Sequence, residues 1–514
     1  MYLTENAVTN LNDFLKHFQW PLSEDDKLKI GRGLIEQYAK LLRTPRSSLH
    51  LKILKIIIFS YYYAAQSLVC QCLIYQRAMQ QGYQYAPPFL DKGYFYQSIN
   101  LPIEYELVNV FVQDFSLKKY KNWIKWILGR MPGKAVFNGR LDFNVVFLEY
   151  LNSQTINSKT IYLQQFLSPL GRKKISNKDT VELIEELTEL TVRISPEQIR
   201  QNTFFLKSLK NLSTHLVEGA MAYYLQAENS LFAKKIKNLY SGTQGRMSSR
   251  IVSEAIRTHG GKVHTFPHTG GFLGGVDHCW MIETLTTSYL YCYTSAELEN
   301  YAKQLKDFQV KSEVELILLP QSFSPAKRIK KRKITHVTYL APLLKFEDHI
   351  FSHMITPNLS LLYLQCQILD VLVKEEITIA LKVHRKDLGS PILDHRLNLL
   401  KQRYNNLIIE MTPLEELINS DYSTDLYISD NITGGSLIEV IKTDAPIALF
   451  TACFHIIPPE IREEFQERVR VFFVEFDTLN RPAINSEEFK NFLSNNENFN
   501  RRALSALVNE HFAY

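Results

Sequence analysis

No two cysteines in this chain are separated by the two-residue gap of a zinc knuckle or a redox motif. The six present, Cys70, Cys72, Cys279, Cys292, Cys366 and Cys453, are scattered, mostly in apolar runs. Buried thiols in a reducing compartment are the expectation. No G-x-x-x-x-G-K-[ST] loop occurs, which disfavours a P-loop kinase, and no G-x-S-x-G elbow marks a serine hydrolase. The start, residues 1–18, has early charges and no apolar core of a secretory signal. A large excess of one charge sign is lacking too: the net +6 is mild for 514 residues and does not by itself imply nucleic acid. No internal repeat and no low-complexity tract is present.

What is present is ordinary globular material, 45% hydrophobic and 22% charged, with 30 Phe and 27 Tyr to fill several cores. The length suggests two to four domains. One stretch, residues 56–76, carries no charge over 21 positions and is long enough to span a bilayer. It also holds Gln66, Gln71, Gln76, Ser60, Ser67 and four tyrosines, which insert into lipid at a cost. A buried helix of the first lobe is expected there rather than a membrane-embedded one.

Residues 1–130 read as a helical N-terminal region, with apolar steps of three and four at Leu34, Ile35, Tyr38, Leu41 and Leu42 and around Trp123 to Ile127. Met131-Pro132-Gly133 breaks that pattern. Residues 131–326 read as α/β: strands at 134–140, 160–163, 237–240, 262–266, 288–293 and 314–319, a helical stretch over about 178–235, and a helix at 247–258 ended by Gly260-Gly261. The run 327–333 places six basic residues in seven and reads as a linker. A second lobe, 334–490, alternates strands (334–340, 377–383, 407–410, 426–429, 447–450) with helices (361–373, 394–404, 413–419, 436–441). Such alternation implies right-handed crossovers and a parallel sheet. Residues 484–514 look like closing helices, the last of them over 491–514. The fold class expected is α/β, two Rossmann-like lobes with a helical N-terminal extension.

Ligands bind outside the carboxyl ends of strands in open parallel sheets, so strand-end motifs carry the chemistry. Ser429-Asp430-Asn431-Ile432-Thr433-Gly434-Gly435-Ser436 runs from a strand through a glycine turn into a helix. Free N–H groups at a helix start attract anions, Thr433 and Ser436 add hydroxyls, and Glu439 lies one turn on, where a carboxylate accepts ribose hydroxyls. An ordinary N-capped helix is the plain alternative. Lys382-Val383-His384-Arg385-Lys386 follows another strand and reads as a phosphate contact, or as a solvated basic turn. The glycine-rich segment 267–275 carries His268, with Asp277 just beyond as a carboxylate base; a simple surface loop is the other reading. His264 and His268 are four apart, but in a strand that separation is about 13 Å, so no metal site is expected. Asp142, after Asn138-Gly139-Arg140, is a second base candidate or a helix-capping turn aspartate. The basic run 327–333 suits anionic lipid headgroups or a solvated linker; without stacking aromatics, nucleic acid is not expected.

Together these pieces resemble the GT-B class of nucleotide-sugar glycosyltransferases, nearest to bacterial enzymes of capsule and lipopolysaccharide surface-polysaccharide biosynthesis. The residues that carry the resemblance are Lys382-Val383-His384, Ser429-Asp430 through Thr433 to Ser436 and Glu439, and, in the first lobe, Ser241 to Gly245, Gly261 to His264 and Pro267 to Gly271. It spans roughly residues 134–480. The resemblance implies a transferase that moves a sugar from a nucleotide-activated donor to a glycan, lipid-linked or protein acceptor. A cytoplasmic location is the expectation, with the run 327–333 either a solvated linker or a peripheral contact at the inner face of the membrane. Lys382, His384, Thr433, Gly434, Gly435, Ser436 and Glu439 would then hold the donor, and Asp142, Asp277 or His268 would deprotonate the acceptor. No cofactor or metal is required, the sugar nucleotide being a substrate. Arg385 stands where that family has proline, and Pro267 where it often has glutamine. These departures keep a non-catalytic scaffold of the same fold among the readings, beside a nucleotide-sugar epimerase.

Overall fold

The computed structural model describes residues 16–83, 135–138, 158–161, 177–319 (without 243, 268–277, 293–294), 334–340, 358–383 and 397–494 (without 399, 413, 420–423, 433–434, 442, 444, 458, 460–461). Two six-stranded sheets, both wholly parallel, organise them. The expected fold class, two α/β lobes, is what the structure has.

The first sheet holds β1 (Ala135–Asn138), β2 (Ser158–Ile161), β3 (Asn238–Ser241), β4 (Lys262–Thr265), β5 (Tyr289–Cys292) and β6 (Glu315–Leu318), in the order β2-β1-β3-β4-β5-β6. The order reverses between β1 and β3, whose last residues, Asn138 and Ser241, are in register. The second sheet holds β7 (His336–Leu340), β8 (Thr378–Lys382), β9 (Leu407–Glu410), β10 (Leu426–Ser429), β11 (Ile447–Thr451) and β12 (Arg470–Phe473). Its order is β9-β8-β7-β10-β11-β12, the 3-2-1-4-5-6 arrangement of nucleotide-binding Rossmann sheets. The reversal lies between β7 and β10, where Leu340 is in register with Ser429.

Side-chain alternation shows that the second sheet is covered on both faces. Leu340, Tyr427, Ile447, Leu449 and Val471 share one core with Leu437, Val440 and Phe465. Their strand neighbours Tyr339, Leu426, Ile428, Ala448, Phe450 and Phe472 point to the other core, with Leu361, Leu369 and Phe489. Strands buried on both faces read as continuous apolar runs, as Ile447–Thr451 does.

Helices α1 (Glu24–Arg43), α2 (Ser48–Gln80), α3 (Asn177–Ile194) and α4 (Thr203–Asn229) build a helical layer that packs on α5 (Met247–Thr258), beside β3 and β4. A capping box starts α1: Ser23 Oγ accepts from the Asp26 N–H, and the Asp26 carboxylate accepts from the Ser23 N–H. In α2, 83% of the most apolar 18-residue window is buried inside the protein, as the polar residues spaced along it led us to expect. Tyr61, mid-helix, donates to Leu187 O over 3.1 Å and pairs with Ser213 Oγ at 3.0 Å.

Helix α5 has the bounds read from the sequence, and Gly260 takes a φ of +78° beyond it. At Gly261 a Cβ would come within 2.4 Å of Ile256 Cγ2 and 2.6 Å of Ile236 O, so the strand–helix approach there excludes any side chain. The sequence reading stops its strands at Phe450; the structure adds β12 and, before it, a helix at Arg462–Arg468. Charge over 462–470 hides that pair, because within the helix only Phe465 and Arg468 are buried. The segment before α1 is sewn to a hairpin that follows β12: Trp20 N–H donates to Leu479 O and Asn480 Nδ2 donates to Trp20 O, each over 3.0 Å.

Candidate ligand edges at the strand ends

Parallel pairing puts every strand-end motif of a lobe along one carboxyl edge. In the second lobe, Lys382 ends β8, His384 lies two residues beyond it, and Asp430 to Gly435 follows β10, which flanks the reversal. In the first lobe, Asp142 lies four residues beyond β1, and His268 three beyond β4. Asp142, His268, Asp277, His384, Thr433 and Gly434 fall outside the described residues.

Of the rest, Lys382 is half-buried and its Nζ donates to Val383 O over 2.8 Å. Across the register it meets Glu410. Partial burial raises the Glu410 carboxyl, but hydrogen bonds from Thr412 and the Lys382 charge outweigh this and hold it below the usual range. Gly435 opens the short helix Gly435–Ile441. Within it Leu437 and Val440 are fully buried, whereas Ser436 is exposed and Glu439 half-buried. Residues three apart share a helix face, so Ser436 and Glu439 look outward together.

Asp430 is the residue that reading by motif undervalued. It follows β10 directly and is 3% exposed. One carboxylate oxygen, Oδ2, accepts from the Tyr339 hydroxyl at 2.7 Å and from Gln365 Nε2 at 3.0 Å. The other, Oδ1, has no hydrogen-bond partner among the described residues. Burial raises its pKa from 3.8 to about 6, with the two donors pulling the other way. Next to it the Ser429 hydroxyl bridges both the N–H and the carbonyl of Asn431 at 3.2 Å. An acid placed immediately after an apolar strand was the available signal.

His264 does not face the edge. Its ring stacks on Tyr240 at 4.4 Å and on Tyr289 at 4.8 Å, and its nitrogens meet Tyr291 Oη at 2.9 Å and Asn238 Oδ1 at 3.2 Å. Burial, with Lys262 nearby, lowers its pKa to about 4, so it is a neutral member of an aromatic row on the sheet face. Among the described residues no three His, Cys, Asp or Glu side chains group as a metal site. The six cysteines are unbridged; five are buried and Cys279 is half-buried.

No family model matches the chain, and no curated protein does. Among solved structures, the apo form of the lipopolysaccharide outer core galactosyltransferase WaaB aligns over 74% of this chain and 95% of its own, at 10% identity and a TM-score of 0.36. Os79 from O. sativa in complex with UDP aligns over 73% and 94%, at 10% identity and a TM-score of 0.38. The complex of Os79 with UDP and deoxynivalenol-3-glucoside gives 11% identity and 0.37 over the same shares. At such scores the likeness carries no weight; strand order and register alone identify a chain of two parallel-sheet α/β lobes, the second in Rossmann order.

Proposed function

We propose that this chain is a glycosyltransferase, moving a sugar from a nucleotide-activated donor to a hydroxyl of a glycan, lipid-linked or protein acceptor in surface-polysaccharide or glycoconjugate synthesis. The observation that carries the reading is the Rossmann order of the second sheet, with a glycine turn and a helix start directly after the strand at its reversal.

In this reading the second-lobe edge takes the donor. Lys382 and His384 supply positive charge and a hydrogen-bond donor to the phosphates, and Thr433 to Ser436 supply backbone N–H groups and hydroxyls. Glu439 accepts from the ribose. The acceptor oxygen forms a bond to the anomeric carbon as the bond from that carbon to the phosphate oxygen breaks. The phosphate departs with the electron pair, and fixed donors stabilise its growing charge. A first-lobe group, Asp142, Asp277 or His268, takes the acceptor proton. The basic run 327–333 serves as contact with anionic headgroups.

The test is the melting temperature of the full chain against CMP, UDP, GDP and their sugar derivatives. A ligand that binds only the folded state raises it. A shift with one nucleotide, lost in His384→Ala and Glu439→Ala, is expected. A flat response across the panel would overturn the reading.

A further inference from the structure

Arg250 lies in α5, is fully buried, and joins two elements that the sequence separates widely. Its Nε donates to Ile56 O and its Nη2 to Ser60 Oγ, each over 2.6 Å, both on α2. Its Nη1 donates over 2.6 Å to the carbonyl of Gln244, in the turn that follows β3 at the β1/β3 reversal. The peptide N–H of Gln244 is taken as well, donating to the buried Glu283 carboxylate over 3.0 Å. Its side-chain oxygen meets the Ser253 hydroxyl at 3.1 Å and that of Thr286 at 3.3 Å.

A glycine turn at a strand end is ordinarily solvated backbone. Here the N–H and the carbonyl of Gln244 are held by buried groups of opposite charge. Burial lowers the Arg250 pKa to about 9, and Glu283 works against that fall. A buried charge pair is a costly way to gain stability, whereas specifying one geometry is its best-attested use. Helix α2 also touches His278. The rings of Phe59 and Tyr62 lie 6.0 Å and 5.6 Å from that of His278, the first described residue after the glycine-rich segment 268–277. The Arg250 guanidinium stands 5.6 Å over that same Phe59 ring.

We propose that Arg250, anchored on α2, is a positioning residue for the first lobe's ligand edge, setting Gln244 in the turn at the sheet reversal. This gives α2 a role in the site. Only the consequence for turnover rests on the transferase reading; the positioning itself does not.

The experiment is hydrogen exchange on the full chain for Arg250→Met, Arg250→Lys and Ser60→Ala. Exchange over 242–246 should quicken at least tenfold in Arg250→Met and less in the other two, with β10 and β11 unchanged. Equal acceleration throughout α3 and α4, or an unmoved turn, overturns the proposal. Should Arg250→Met not fold, Ser60→Ala, which removes one of three bonds without a large void, decides on the same criterion. With the sugar nucleotide that raised the melting temperature as substrate, kcat should fall about tenfold and donor KM should hold; a matching rise in donor KM overturns it. If no nucleotide binds at all, the transferase reading fails while the exchange result still decides the positioning.

Discussion

The hydroxyl of Tyr339, on β7, donates to the Asp430 carboxylate, at the end of β10, over 2.7 Å inside the protein. That bond crosses the point where the strand order of the second sheet reverses. It ties together the two strand ends between which a ligand of such a sheet sits.

The charge on Asp430 sets a pH dependence. Its folded pKa, about 6, lies above its ordinary 3.8. The folded state therefore favours the protonated form, and the ionised form carries a penalty. Below about pH 4 the penalty is absent; it grows through the window from about 4 to 6 and is complete above, reaching about 3 kcal/mol. Asp430→Asn has no such titration. The melting temperature of wild type minus that of Asp430→Asn should fall from pH 4.5 to pH 7 and then level off. A difference independent of pH would count against the assignment.

Removing the Tyr339 hydroxyl leaves Gln365 as the side-chain donor to that carboxylate among the described residues. Tyr339→Phe should cost about 1–3 kcal/mol, as loss of a bond to a buried charged acceptor does. The loss should be larger at pH 8, where Asp430 is ionised, than at pH 5. Urea denaturation at both values measures it, and an equal loss at both would contradict a charged acceptor.

Adjacent glycines should differ for different reasons. Gly260 needs its positive φ but has open space around a Cβ, so Gly260→Ala should cost about 1 kcal/mol of backbone strain. Gly261 has no room, with a backbone oxygen 2.6 Å from the Cβ position, so Gly261→Ala should cost about 1–3 kcal/mol through overpacking. Comparing denaturation midpoints of the two variants checks this; a neutral Gly261→Ala would show the strand–helix approach to be looser than described.

Ser436 and Glu439 look outward from a helix whose inner positions are Leu437 and Val440. Ser436→Ala, at an exposed position, should leave the melting temperature of the unliganded protein within about 1 °C, and Glu439→Ala, at a half-buried one, should keep the fold. Each should weaken nucleotide affinity by about tenfold, the worth of one good hydrogen bond. Isothermal titration with the nucleotide found by thermal shift measures both claims. Unchanged affinity in both variants would remove this helix from the ligand site.

Local pattern was sufficient for most elements of the second lobe. Ile377 to Val383, Leu426 to Ser429 and Ile447 to Phe450 are β-branched or apolar runs of strand length between turn signals, and each is a strand within a residue or two. Arg470 to Phe473 escaped because charge surrounds it and only its two middle residues are buried. The strand ends were legible for a related reason, and a turn after a parallel strand lies on the carboxyl edge by construction.

What the sequence by itself determined is therefore periodic and local: apolar runs, glycine turns, the bounds of Met247–Thr258, and two lobes of parallel α/β structure. Strand order is not local. Only the tertiary structure decided that β10 lies beside β7 and β3 beside β1, because pairing depends on which crossover closes over which face. It also decided which polar residues go inside. Arg250 looks like a surface residue in its own neighbourhood, and the apolar strand before Asp430 points to burial without naming the partners. Their burial follows from partners far along the chain, Ile56 and Ser60 for the one and Tyr339 and Gln365 for the other. A buried charge is tolerable only where such partners converge, and that convergence exists only in the folded chain.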